Sequence, residues 1–201
     1  MKKNIVITGG LGYIGTELCK IYSGFSWNHK ITVIDNRFVS ERVSQLRNWN
    51  VDFVHGDILD KNLIYKYCHD ADVVHHLAGI TNVPRVKSES NIENDKKIKS
   101  VAEEGTQNIL DVISNKCKII MPSSHVVFEG MKNVKNDILE NEETCPVLSY
   151  GVSKNFNEKQ LKNSGKNYII LRLGSVYGYS TDTTRIDIMP NFFSKMASQN
   201  G

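Results

Sequence analysis

The sequence predicts an α/β fold, a doubly wound parallel sheet with helices on both faces. Six short β-branched runs recur along the chain, each followed by a stretch able to form a helix. The runs are nearly continuous in apolar residues, as strands buried on both faces of a parallel sheet are. Alternation of such strands with helices implies right-handed crossovers, which build a sheet outward in both directions.

Ile5-Val6-Ile7 is the first strand, followed by a glycine-rich turn and a helix. Ile31-Thr32-Val33-Ile34 is the second and ends at Asp35. Val51-Asp52-Phe53-Val54, Val73-Val74-His75, Ile119-Ile120-Met121 and Tyr168-Ile169-Ile170-Leu171 supply the other four. Residues 84–104 carry dense charge of both signs, from Arg85 and Lys87 to Glu103 and Glu104. They read mostly as the solvated face of a long helix over about 88–114. Residues 129–148 read as a polar loop ending at Cys145-Pro146, a helix follows over 149–163, and Ile188–Ser198 reads as an amphipathic helix. The expected domain covers 1–180. Residues 181–201 read as the start of a substrate-binding region that is largely missing, so the chain reads as truncated.

Composition narrows the class of function. At 201 residues, with 40% hydrophobic and 23% charged, the chain can bury a large core and is not disordered. The formal charge of +3 comes from interspersed basic and acidic residues, which argues against nucleic acid or an anionic membrane as partner. Cys19, Cys68, Cys117 and Cys145 lack zinc-site or redox-dithiol spacing, so reduced thiols in a cytoplasmic protein are expected. The apolar start is cut at Thr8-Gly9-Gly10, too early for a secretory leader. No metal site is expected either. His75 and His76 are adjacent on a strand and point to opposite faces.

The turn Gly9-Gly10-Leu11-Gly12-Tyr13-Ile14-Gly15 sits between strand and helix, and Asp35 ends the next strand twenty residues later. That context suits a dinucleotide, whose pyrophosphate rests on the amides and positive end of the helix. Asp35, with Asn36 beside it, can accept hydrogen bonds from the adenosine ribose and would repel a 2′-phosphate, favouring NAD over NADP. Arg37 could soften that preference; a solvent-facing arginine is the expected placement. The fold expected is thus of Rossmann type.

The spacing Gly9-x-x-Gly12-x-x-Gly15 after Thr8 resembles the extended short-chain dehydrogenase/reductases, also called the NAD-dependent epimerase/dehydratase family. The likeness continues at Gly56-Asp57-Ile58, His76-Leu77-Ala78-Gly79, Gly105-Thr106, Ser123-Ser124, Tyr150-Gly151-Val152-Ser153-Lys154, Leu171-Arg172 and Val176-Tyr177-Gly178. The resemblance implies that Tyr13 and Ile14 lie against the cofactor pyrophosphate and that Asp57 and Ile58 flank the adenine. It implies that Leu77, Ala78 and Gly79 line the cofactor cleft, with Thr81 near its nicotinamide end and the substrate. Ser124, Tyr150 and Lys154 would be the catalytic set, touching cofactor or sugar. Two departures weaken any assignment of a particular substrate: Ala102 and Ser175 stand where the family often has asparagine, the latter near the substrate diphosphate.

Tyr150 and Lys154 share a helix face. Lowering a tyrosine from its ordinary value of about 10 to near 7 takes about 4 kcal/mol, which a nearby cation can supply. Lys154 and the nicotinamide ring are the expected cations, and Ser124 could relay the proton. By resemblance, dehydratases and decarboxylases place carboxylates near this serine. Ser124-His125-Val126 has none, which favours epimerisation or ketone reduction. His125 is open between an auxiliary acid or substrate contact and plain packing. Arg185 and Asn191 are open between substrate-diphosphate contacts and surface roles. The expected protein is an NAD-dependent nucleotide-sugar epimerase, plausibly a homodimer through the helices at 88–114 and 149–163. The alternatives are an NADP-dependent reductase or dehydratase of the same family, or a non-catalytic NAD-binding protein.

Overall fold

The computed structural model describes residues 2–25, 28–81, 87–181, 185–186 and 188–200. Arg85, in the charged stretch, lies outside them. The apolar runs form a six-stranded parallel sheet: β1 (Lys3–Thr8), β2 (His29–Asp35), β3 (Asp52–His55), β4 (Val73–His76), β5 (Lys118–Ser124) and β6 (Asn167–Leu173). The spatial order is β3-β2-β1-β4-β5-β6, with β1 at the centre. The order therefore reverses between β1 and β4. In open α/β sheets that reversal opens a crevice at the carboxyl ends of the strands, where ligands bind.

Side-chain alternation divides the core in two. Ile5, Ile7, Ile31 and Val33 face α1 (Tyr13–Ser23) and α2 (Ser40–Asn48), meeting Cys19, Val43 and Leu46. Val6, Ile34, Val74, Ile119 and Met121 face the other way, towards α3 (Lys61–Cys68), α4 (Ile92–Val112) and α5 (Ser149–Asn163), meeting Ile64, Ile109 and Leu161. The two histidines obey the same alternation. The Tyr22 hydroxyl of α1 is 2.8 Å from His75 Nε2, while Thr106 of α4 is 3.1 Å from His76 Nε2.

Three elements differ from the sequence expectation. The long helix begins at Ile92, after a short 3-10 turn at Lys87–Glu89, because Asn91 caps it by accepting the Asn94 amide at 2.8 Å. The sixth strand is not buried on both faces: as the sheet's edge it leaves Ile169 and Leu171 38% and 42% exposed, on the face away from α5. The last helix, α6 (Met189–Asn200), runs two residues past its expected end. The loop between β5 and α5 holds a 3-10 turn, His125–Phe128, and no further helix or strand.

Candidate active site

The carboxyl ends of β1, β2, β4 and β5 open on a cleft of about 1850 Å³. Pockets that hold one drug-sized ligand measure roughly 300–1,000 Å³, so this cleft has room for more than one. Its wall includes the expected cofactor residues Gly9, Gly12, Tyr13, Ile14, Gly15, Asp35, Asn36, Asp57, Ile58, Leu77, Ala78, Gly79 and Thr81. It also includes Ser124, His125, Tyr150, Lys154, Ser175 and Arg185. Asn191 is not on the wall.

The glycine turn is shaped by two steric demands. Gly9 has φ +70, and a Cβ there would stand 2.7 Å from the Ala78 amide nitrogen. A Cβ at Gly15 would stand 2.5 Å from the Gly9 carbonyl oxygen. Close packing of this kind brings α1 down onto the turn. Its N-cap, Gly12, offers no side-chain cap, and its first turn holds no acidic residue. By contrast, the first amides of α3 and α4 are taken by Asp60 and Asn91. The positive end of α1 is thus open toward the cleft, which is what an anionic pyrophosphate requires.

Asp35 is buried, its carboxylate accepting the Leu11 amide at 3.0 Å and the Arg37 amide at 2.9 Å. A carboxylate has about four lone-pair positions, so two remain for a ribose. Arg37 is exposed, as expected, with 45% of its side chain accessible, and its Nε also lies 3.6 Å from Asp35. Asn36 donates to Asp57 at 3.0 Å, joining the ends of β2 and β3. Gly105 makes room for Ile58, whose Cδ1 lies 2.3 Å from where a Cβ would be, and Asn108 donates to the Ile58 carbonyl at 3.0 Å. Beneath the turn, His76 bridges Thr8, 2.9 Å from Nδ1, and Thr106. Burial, and then the charge of Lys154, hold that imidazole down at about 3, so it is neutral.

At the other end of the cleft, α5 presents Tyr150 and Lys154. The Lys154 ammonium donates to the Pro122 carbonyl at 2.9 Å and lies 5.7 Å from the centre of the Tyr150 ring. Loss of solvation pulls Lys154 down to about 8. In the chain itself burial pushes the Tyr150 phenol up, and Arg185 opposes that with its charge. The net direction is thus opposite to the lowering expected from Lys154, and the charge that opposes burial is that of Arg185. Ser124 accepts the Val126 amide at 3.4 Å. His125 Nδ1 is 3.2 Å from the Leu173 carbonyl, which only accepts, so Nδ1 carries the proton.

Some residues the sequence left unplaced also matter. Asn94, Lys97 and Val101 of α4 join the cleft wall, so this helix face is not wholly solvated. Glu129 reaches the wall from the polar loop, accepting the Val147 and Leu148 amides at 2.7 and 2.6 Å. Asn191 holds the C-terminal segment instead of lining the cleft: it donates to the Tyr13 hydroxyl at 3.0 Å and accepts the Gly178 amide at 2.9 Å. Tyr13 in turn donates to the Gly178 carbonyl, and Ser180 to the Tyr13 carbonyl at 3.1 Å. Arg185 donates to the Thr81 carbonyl at 3.4 Å. Among the described residues no cluster of His, Cys, Asp and Glu could hold a metal, and no helix is long and apolar enough to cross a membrane.

Strand order and glycine cradle together define a Rossmann domain built for a dinucleotide. The chain belongs to the NAD dependent epimerase/dehydratase family, whose model matches residues 5–200. It is 30% identical over 188 residues to a UDP-glucose 4-epimerase of Mycoplasma genitalium, covering 88% of this chain and 54% of that one. It is 32% identical over 130 residues to a UDP-N-acetyl-alpha-D-glucosaminuronate decarboxylase of Bacillus cytotoxicus, covering 64% and 38%. Among solved structures, UDP-N-acetylglucosamine 4-epimerase from Methanobrevibacter ruminantium superposes with a TM-score of 0.77 at 26% identity, covering 99% of this chain and 64% of that one. UDP-glucose 4-epimerase from Brucella ovis, in complex with NAD, gives 0.70 at 28% identity, covering 90% and 55%. The chain thus spans less than two thirds of the length of these relatives.

Proposed function

We propose that this chain belongs to an NAD-dependent nucleotide-sugar epimerase, similar to the UDP-glucose 4-epimerases, that works by transient oxidation of a sugar alcohol to a ketone. One observation carries the reading: Tyr150 and Lys154 stand a helical turn apart on a wall of the cleft, with Lys154 anchored on Pro122 and Ser124 two residues further along β5. The open end of α1 receives the pyrophosphate, Asp35 the adenosine ribose, and Asp57 with Ile58 the adenine. Lys154 holds the nicotinamide ribose, against which Leu77, Ala78 and Gly79 pack.

Bound NAD would supply a hydride acceptor able to return the hydride to the opposite face of the same carbon, together with a positive charge beside the phenol. Tyr150 takes the sugar hydroxyl proton as the carbon–hydrogen bond opens, and gives it back when the alcohol re-forms. Ser124 holds that hydroxyl and relays its proton. Arg185 assists by opposing the upward push of burial on Tyr150. Ser175 and Arg185 lie where the substrate diphosphate would pass.

Epimerisation is favoured over elimination of water because Ser124 is followed by His125 and Val126 and not by a carboxylate. Arg37 beside Asp35 is the feature that favours the NADPH-consuming alternative. A cytoplasmic homodimer is part of the proposal, with α5 leaving Val152 and Phe156 48% and 40% exposed for that contact. The test is reduced-nicotinamide absorbance after mixing the NAD-loaded protein with a panel of UDP-sugars. A rise with one sugar, absent in Tyr150→Phe, is expected. No rise with any sugar while NAD stays bound would leave a non-catalytic NAD-binding protein.

A further inference from the structure

Behind the cleft lies a buried carboxylate that the reaction scheme does not use. Glu158, on α5 one helical turn beyond Lys154, is 1% exposed. Its Oε1 accepts from Ser123 Oγ at 2.6 Å and from Arg172 Nε at 2.9 Å, and its Oε2 accepts from Arg172 Nη2 at 2.7 Å. Ser123 and Arg172 are partners across β5 and β6, so one carboxylate grips a cross-strand pair. The guanidinium is itself fixed, 4.9 Å over the Phe128 ring and donating to the Glu140 carbonyl at 3.0 Å. Burial works against the charge, but the bonds from Arg172 and Ser123 outweigh it and keep the Glu158 carboxyl below its ordinary range.

The helix therefore makes two successive bonds to two successive residues of β5. Lys154 binds the carbonyl of Pro122, and Glu158 binds the hydroxyl of Ser123. Ser124 is the next residue. Contacts one helical turn apart on one face of α5 set both its rotation and its sliding position against the strand. We infer that Glu158 is a positioning residue: by clamping Ser123 and Arg172 it holds Lys154 on Pro122 and fixes Ser124 opposite Tyr150. The inference rests on the proposed role of Lys154 in holding the cofactor ribose.

The groups around Lys154 leave its titration readable. His76, facing it from β4, is neutral with a value of about 3, and burial pushes Tyr150 on α5 above its ordinary 10. Glu158 is held ionised. NAD affinity, measured by calorimetry from about pH 6 to about pH 10, a range that brackets the lysine, should fall as Lys154 loses its proton near 8. The break should vanish in Lys154→Met. In Glu158→Gln it should move down by about one pH unit, because the ammonium loses its fixed carbonyl, and affinity on the alkaline side of the break should drop about tenfold. Ser123→Ala, which deletes a single hydroxyl, should move it the same way by less and guards against a misfolded Glu158→Gln. A lower melting temperature with the break unmoved in both variants would overturn the positioning role. A wild-type affinity that shows no break, matched by Lys154→Met, would overturn the reading of Lys154 and the inference with it.

Discussion

The two glycines just past the ends of β1 and β4, Gly9 and Gly79, allow a sharp test of how the cleft is built. At Gly9, alanine must accept φ +70 and place its Cβ 2.7 Å from the Ala78 nitrogen and 2.8 Å from the Ala78 Cα. Those neighbours are backbone and cannot swing aside as a side-chain tip would. The left-handed conformation costs roughly 1–2 kcal/mol. Overpacking a well-filled site adds roughly 1–3 kcal/mol. Gly9→Ala should therefore destabilise by about 2–5 kcal/mol, which for a chain of this size corresponds to roughly 4–20 °C in Tm. Gly79 is the matched control: nothing lies within 4 Å of its Cβ position, and it faces the cleft. Gly79→Ala should melt like the unaltered protein while weakening NAD, because the methyl projects into the space assigned to the cofactor. Thermal unfolding of both variants, with and without NAD, decides the matter. A Gly9→Ala protein that melts within a degree or so of the parent, or a Gly79→Ala protein that falls as far, would refute the steric account of the turn.

Asp35→Ala should weaken NAD by about tenfold or more while leaving NADP nearly unchanged, since it removes both the ribose acceptor and the charge that repels a 2′-phosphate; equal losses in parallel titrations would remove Asp35 from the ribose. His76 predicts an acid limb of stability. Its folded value of about 3 lies below the unfolded value of about 6.5, so the unfolded chain binds the extra proton in between. Its contribution is complete above about pH 6.5 and is lost as pH falls toward 3, by at most about 1.4 kcal/mol per pH unit. Denaturant melts of His76→Asn should show a flatter slope in that window, and an unchanged slope would assign the acid limb elsewhere. Glu158→Ala, which strands the Arg172 guanidinium, should cost about 3–5 kcal/mol in the same melts, and a cost below about 1 kcal/mol would mean that solvent reaches the pair.

What could be read in advance followed from local rules. The strands announced themselves because β-branched runs on both faces of a sheet leave no polar alternation to confuse them. Tyr150 and Lys154 were legible because a spacing of four puts two side chains on one side of a helix. The placements that escaped depend on partners far away in sequence. Nothing in the sequence around Glu158 sets it apart from the other charged residues of its helix, and only the pairing of Ser123 with Arg172 across the sheet turns its position into a socket. Glu129 lies in a loop, where no periodicity says which way a side chain turns. Asn191 was open between a substrate contact and a surface role, and its amide is engaged by Tyr13 and Gly178. The exposure of β6 was hidden for a similar reason. An edge strand and a central one can share the same apolar composition and differ only in what lies against them.

The tie between Tyr13 and Asn191 has a consequence for the order in which the molecule is made. The residues that cradle an anion leave the ribosome before those that steady Tyr13, which come 165 and 178 positions later. A nascent chain can pair β1 with β2 as soon as both have emerged, and its glycine turn can form early. The wall of the cleft, however, also includes Met189 and Phe193. Until α6 emerges, Tyr13 lacks its bond from Asn191 and the cleft lacks that side. Contacts of such long range form late in folding, since the intervening loop must close before they contribute. Full affinity for a dinucleotide should thus appear only after α6 has been made, which makes cofactor capture a report on whether the stretch from β1 to α6 has folded.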